Sequence, residues 1–257
     1  MNGKVSIPVL LLLSALLIGC ASSAERQARR EQIDKRVETH VMLGASYLQR
    51  GQLDVAKKEL EIALKESPND SQANNIMAVL QWRLKNLDEA ERLFRRALDS
   101  DEKNPSAQHN YGTFLCDRGK LDEAIRYFYA AATNQLYPYA AEVNLNAGVC
   151  LMKKPLPSAA EKYFREALRI NPKLPGALYQ MAKISLDSGN RLPARGFIER
   201  YFQSADDTPE ALLLAVKIER ALKNKNAEAS YALRLRNKFP NSPETEKLHG
   251  ISGPGKR

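Results

Sequence analysis

The sequence predicts an all-α protein built from about six stacked helical hairpins, and three observations support this prediction. Small residues recur at fixed offsets, because Gly44, Gly112 and Gly148 are each followed by alanine 12 and 19 residues later. Prolines lie at the borders between the predicted hairpins, where they end one helix before the next begins. They are Pro68, Pro105, Pro172, Pro175, Pro209 and Pro240. The sequence also lacks the alternating β-branched runs that predict strands.

The N-terminal residues predict an export signal. Lys4 precedes an apolar run from Val5 to Ile18, which is shorter than the ~20 residues of a membrane span and suits a signal peptide over 1–19. The run ends in Leu17-Ile18-Gly19-Cys20, which resembles a bacterial lipobox. The resemblance implies that Cys20 is lipidated with palmitate and becomes the mature N-terminus. An ordinary signal peptide with a chance cysteine, or an uncleaved anchor, are the alternatives.

The residue after the cysteine bears on the location of a lipoprotein. An Asp at this position usually signals retention in the inner membrane, and this chain has Ala21 there. The resemblance therefore implies a lipid anchor in the outer membrane with the protein facing the periplasm. Residues 20–36 follow as the anchor and a charged linker with almost no apolar face.

The 34-residue period resembles the tetratricopeptide repeat, a helix–turn–helix unit whose copies stack into a right-handed superhelix. Phasing from Gly44 gives six repeats, at 37–70, 71–104, 105–138, 141–174, 175–208 and 209–242, with two inserted residues at Tyr139-Ala140. The sixth repeat is degenerate, and a generic antiparallel helical bundle is the alternative. Residues 243–257, which include Gly250, Pro254 and Lys256-Arg257, are expected to be disordered.

Composition excludes several classes of function. The chain has three Cys and three scattered His, which predicts no zinc or other metal site, and it has no glycine-rich nucleotide motif. We therefore expect no cofactor, no catalytic residues and no enzymatic activity. The net charge is 39 − 30 = +9, or +8 once Lys4 is removed with the signal peptide. In a periplasmic lipoprotein this charge is expected to serve solubility, lipid attraction or a protein partner, and not nucleic acid.

Each repeat's first helix should line a concave groove, through positions 2, 5, 9, 12 and 13 of the unit in this repeat family. Carrying these positions over predicts a partner-binding groove of mixed character, formed by Asn75, Val79, Trp82, His109, Thr113, Leu145, Val149 and Tyr179. Such a surface suits an extended segment or an inserted helix. Trp82 is the expected anchor, although it could equally fill space between helices. His109 has no nucleophile or carboxylate placed to complete a catalytic triad and is expected to be polar lining.

Two cysteines remain once Cys20 is lipidated. Cys116 and Cys150 lie in the first helices of neighbouring repeats, which stack about 9–10 Å apart, so they are expected to form a disulfide in an oxidising compartment. Two buried, reduced thiols are the alternative.

The segments Asn110-Tyr111-Gly112 and Leu136-Tyr137-Pro138, together with the lipobox and six repeats, resemble the PilW/PilF family of type IV pilus biogenesis lipoproteins. The resemblance implies a pilotin, which binds the type IV pilus secretin and promotes its outer-membrane localisation and multimerisation, and which supports pilus stability. Other pilus assembly proteins are further possible partners. A repeat lipoprotein that serves outer-membrane protein assembly or cell-wall enzyme regulation is the alternative.

Overall fold

The computed structural model describes the backbone of residues 7–134, 136–153 and 157–251, and the side chains of residues 23–134, 136–153 and 158–248. The side chains of the predicted signal peptide, the Cys20 side chain and residues 252–257 lie outside this description. The described chain is helical throughout and has no strand. Its helices are α1 (Ile7–Gln49), α2 (Leu53–Glu66), α3 (Ser71–Arg83), α4 (Leu87–Ser100), α5 (Pro105–Asp117), α6 (Leu121–Ala132), α7 (Ala140–Leu151), α8 (Pro157–Ile170), α9 (Pro175–Asp187), α10 (Arg191–Ser204), α11 (Pro209–Ala221), α12 (Lys225–Lys238) and α13 (Pro243–Ile251).

The helices divide into two compact units, 1–110 and 111–257. In the first unit α1 packs on α2, α3 packs on α4, and α2 and α3 join the two pairs. In the second unit α7 pairs with α8, α9 with α10 and α11 with α12. Each pair also packs on the next through α8 with α9 and α10 with α11, which is the arrangement of a helical-repeat protein.

In five of the hairpins the described turn contains a left-handed residue. Gly51, Gly119 and Gly189 have positive φ there, between 74° and 78°, a conformation that glycine adopts without a Cβ penalty. Lys85 and Lys223 take the same conformation, at φ 65° and 61°, in the second and sixth hairpins. The recurring turn keeps the two helices of these five hairpins antiparallel.

A second set of glycines allows the paired helices to approach closely. A Cβ added to Gly148 in α7 would lie 2.5 Å from the ring of Phe164 in α8, which is fully buried. The same relation holds between Gly44 and Leu60, at 2.7 Å. The fixed spacing of glycine and alanine in the sequence therefore reflects contacts in which larger side chains have no room.

The C-terminal segment differs from the sequence-based expectation. Residues 243–251 form helix α13, so the expectation of disorder was wrong for this part of the predicted tail. Leu248 is 1% exposed and packs with Leu212, Val216 and Leu235 of the last hairpin. Burial of this leucine on an otherwise uncovered apolar face provides the stabilisation that the glycine- and proline-rich composition did not suggest. The backbone of the charged linker is part of helix α1.

Among the described residues, none of the helices combines the length and the apolar character that a membrane span requires.

Candidate partner-binding surface

In the first unit, the predicted groove residues Val79 and Trp82 lie half-buried on α3. Arg83 follows them, and its guanidinium donates a hydrogen bond of 2.7 Å to the backbone oxygen of Leu48 at the end of α1. This contact ties the ends of two neighbouring first helices together. Because Trp82 is half-buried, part of its side chain is packed and part is accessible to a partner.

Asn75 does not line the surface, although its position in the repeat predicted that it would. Its side chain is fully buried, and its Oδ1 accepts a hydrogen bond of 3.0 Å from Nδ2 of Asn110 on α5. A second contact, of 3.5 Å, runs from Asn75 Nδ2 to Gln72. Asn75 therefore joins the first helices of successive repeats and cannot touch a partner, since a buried amide requires these internal bonds.

His109 and Thr113 are half-buried on α5. Burial lowers the pKa of His109 to about 4. The imidazole is therefore neutral near neutral pH, as expected for a polar side chain withdrawn from water.

In the second unit, three predicted groove residues meet at one cavity. Leu145 and Val149 on α7 and Tyr179 on α9 line a cavity of about 410 Å³, together with Asn146, Pro175, Gly176, Gln180, Tyr201, Thr208 and Glu210. The rings of Tyr179 and Tyr201 are 6.3 Å apart between centroids and form an aromatic wall. The repeat positions predicted the apolar lining but did not place Tyr201 or Glu210 in it.

A second cavity of about 350 Å³ adjoins the first and shares Tyr179 and Glu210 with it. Its walls come from α9, α11 and α13, and its charged groups are Lys183, Asp187, Glu210, Lys217, Glu244 and Lys247. Burial, and next the negative charges of Glu210 and Glu244, raise the pKa of Tyr179. The Tyr179 hydroxyl therefore lies in a negative field at the boundary between the two cavities.

Cys116 and Cys150 face each other between α5 and α7. Their Cα atoms are 5.8 Å apart and their sulfur atoms 2.22 Å apart. The Cα separation lies inside the range of about 4.4–6.8 Å over which two cysteines can be bridged. Lys153, just after the end of α7, also contacts the end of α5. Its Nζ donates hydrogen bonds of 3.1 Å to the backbone oxygen of Cys116 and 3.3 Å to Asp117.

Within the described part of the chain, His, Cys, Asp and Glu side chains form no group of three or more that could hold a metal ion. The surface consists of apolar, aromatic and amide groups with scattered charges. Such a surface can bind a polypeptide segment by side-chain burial and hydrogen bonding.

The chain is similar to known repeat proteins in sequence and in fold. The tetratricopeptide-repeat family model matches residues 41–105 and 115–175. The type IV pilus assembly protein PilF of Pseudomonas aeruginosa is 29% identical over 246 residues, which cover 95% of this chain and 98% of that protein.

Two solved structures are similar over most of the chain. A structure of Pseudomonas aeruginosa PilF has a TM-score of 0.79 at 29% identity and covers 86% of this chain and 99% of its own. The structure of PilW, described as a widely conserved type IV pilus biogenesis factor, has a TM-score of 0.74 at 29% identity and covers 83% of this chain and 98% of its own.

Proposed function

We propose that this chain, which is similar to PilF and PilW and carries tetratricopeptide repeats, acts in type IV pilus biogenesis as a non-enzymatic scaffold anchored in the outer membrane. In this role it binds the pilus secretin from the periplasmic side, promotes the localisation and multimerisation of the secretin, and supports pilus stability. The observation that carries the proposal is the similarity to PilF over 95% of this chain and 98% of that protein.

The proposed mechanism needs no chemical step. Lipid on Cys20 would hold the repeats at the inner surface of the outer membrane. The partner-binding groove, formed by the first helices of the repeats, would capture a segment of the secretin monomer. Confinement to one membrane raises the effective concentration of each captured monomer near its insertion site and near other monomers. Assembly would then be accelerated without any new contact between the secretin subunits.

The lipid anchor can be tested by replacing Cys20 with alanine. The variant is expected to incorporate no labelled palmitate and to leave the outer-membrane fraction, and the number of secretin multimers is expected to fall. A Ser23→Ala variant, changed just beyond the lipobox, is the control and should behave as the wild type. Palmitate incorporation into Cys20→Ala would contradict the anchor, and normal secretin multimers in an unanchored variant would contradict the mechanism.

The partner surface can be tested with one aromatic residue in each unit. Trp82→Ala and Tyr179→Ala are each expected to weaken capture of the secretin from detergent-solubilised membranes by ~2 kcal/mol if the rings are binding hot spots. Tyr129 is an aromatic side chain on the second-helix side of a hairpin and is 64% exposed, so Tyr129→Ala is the matched control. Unchanged capture by both groove variants would place the secretin site elsewhere. Capture of a barrel-assembly or cell-wall protein instead of secretin would replace the proposed partner.

We also propose that Cys116 and Cys150 form a disulfide in the periplasm. The proposal is supported by the 5.8 Å separation of their Cα atoms and by the burial of both side chains, with Cys150 fully buried. A bridge here would fix α5 against α7 next to the surface that carries Leu145 and Val149.

A further inference from the structure

The cavity between α7, α9 and α11 combines apolar walls with a single carboxylate. Leu145, Val149 and Pro175 form one side, and the rings of Tyr179 and Tyr201 form another. Among the described residues that line this cavity, Glu210 alone carries a charge at neutral pH. A long apolar stem with a positive head fits this combination, because its carbons can lie against apolar walls while the head meets a carboxylate.

Glu210 is available to such a ligand. It is the second residue of α11 and is exposed, and no cationic side chain among the described residues lies within ion-pair distance of it. Several other carboxylates of the unit are paired, including Glu219 with Arg195, Glu228 with Arg220, and Glu244 with Lys247. The cavity therefore presents a carboxylate that is not engaged in an ion pair with any described residue, beside two aromatic rings.

The aromatic rings strengthen the preference for a cation. A positive group held over the face of a tyrosine within about 6 Å is attracted by the ring, and a guanidinium can stack on it. Tyr179 and Glu210 both lie at the boundary of the first cavity with the second. A cation bound to Glu210 would thus meet an aromatic ring as well as the carboxylate.

The adjoining cavity does not select by charge. Lys183, Lys217 and Lys247 face Asp187, Glu210 and Glu244 across it, so the six charges sum to zero. An extended segment that continues from the first cavity into the second would find hydrogen-bonding partners of both signs there. Among the described lining residues, the first cavity therefore has a net negative charge, whereas the second, which shares Glu210 with it, has none.

We infer that this groove binds an extended polypeptide segment by receiving one Arg or Lys side chain, its stem against Leu145 and Val149 and its cationic head at Glu210 and Tyr179. The inference concerns the chemistry of the bound segment and holds whether or not that segment belongs to the secretin. It predicts that a basic residue is the determinant of recognition in the second unit.

The test uses the full chain in detergent micelles and a phage-displayed library of random dodecapeptides. Selected sequences are expected to share an Arg or Lys beside apolar residues. A fluorescent copy of the selected peptide should lose about tenfold in affinity when its basic residue becomes Gln, which corresponds to about 1.4 kcal/mol. Glu210→Gln should weaken the basic peptide by a similar factor and leave the Gln peptide unaffected.

Glu246→Gln is the matched control, because Glu246 is exposed on α13 and lines neither cavity. It should leave both affinities unchanged. Glu210→Lys should reverse the preference toward a peptide with Glu at the basic position, a result that loss of folding could not produce. Selection of peptides with no basic residue, failure of the library to yield any binder, or equal loss in Glu210→Gln and Glu246→Gln would overturn the inference.

Discussion

Arg195 on α10 makes both of its guanidinium hydrogen bonds to the carboxylate of Glu219 on α11, at 2.8 and 2.7 Å. The two partners differ in burial, since the Glu219 side chain is 3% exposed and that of Arg195 is 29% exposed. If the pair is broken, an orphaned Arg195 can turn toward water, whereas an orphaned Glu219 cannot.

This asymmetry predicts unequal effects of the two single substitutions. Arg195→Met leaves a buried unpaired carboxylate and is expected to destabilise the protein by about 3 kcal/mol or more. Glu219→Gln keeps a hydrogen-bonding side chain and leaves a cation that can reach solvent, so about 1–2 kcal/mol is expected. Urea unfolding followed by circular dichroism measures both values. The double variant Arg195→Met/Glu219→Leu should recover much of the loss, and equal costs for the two single variants would contradict the asymmetry.

Gly148 and Gly176 provide a matched pair for testing the close approach of helices. An alanine Cβ at Gly148 would lie 2.5–2.8 Å from three atoms of the Phe164 ring, which is buried and cannot yield. We expect Gly148→Ala to cost about 1–3 kcal/mol. At Gly176 the nearest atom, at 2.7 Å, is the end of the half-buried Leu145 side chain, which can rotate away. Gly176→Ala should therefore change stability by less than about 1 kcal/mol, and a larger loss than for Gly148→Ala would refute the explanation.

The pH dependence of stability should contain a contribution from His109. Its folded pKa of about 4 lies below the ordinary value of 6.5, so the unfolded chain binds more protons between these values. The contribution of His109 to the free energy of unfolding is fully present above pH 6.5 and is lost as the pH decreases toward 4. Between pH 7 and pH 5 the wild type should lose about 2 kcal/mol more than His109→Gln. Parallel losses in the two proteins would show that His109 does not titrate in this way.

The proposed Cys116–Cys150 bridge should make stability depend on reductant. The two cysteines are 34 positions apart, and closing a loop of this size is worth about 3–4 kcal/mol in the chain-entropy model. Dithiothreitol should lower the denaturation midpoint of the wild type and leave that of Cys116→Ala/Cys150→Ala unchanged. Maleimide labelling of both cysteines in denatured, unreduced protein, identified by peptide mass, would exclude the bridge.

The sequence predicted the helical hairpins well because their signals are local. Gly148, Ala160 and Ala167 lie in one hairpin, so their spacing can be recognised in the linear chain. The burial of Asn75 was not predictable from repeat position, since Leu145 and Tyr179 occupy the equivalent place and remain half-buried. What distinguishes Asn75 is its hydrogen bond to Asn110, 35 residues away.

The charged side chain of the candidate site was missed for a related reason. In the sequence Glu210 is an ordinary acidic residue in the first turn of a helix, where its negative charge interacts favourably with the helix dipole. Only the packing of α7, α9 and α11 shows that it shares a cavity with Leu145 and Tyr201. Positional rules of a repeat family predict which helix lines a surface, but side chains from three repeats must be placed before a pocket can be recognised.

Helix α13 changes how the last hairpin is expected to fray. In a stack whose units touch only their neighbours, a terminal hairpin has one uncovered face and exchanges its amide hydrogens first. Here Leu248 covers that face, packing with Leu212 and Val216 of α11 and Leu235 of α12. Deuterium uptake by α11 should therefore resemble that of an interior helix. The helix that carries Glu210 is thus packed on both sides.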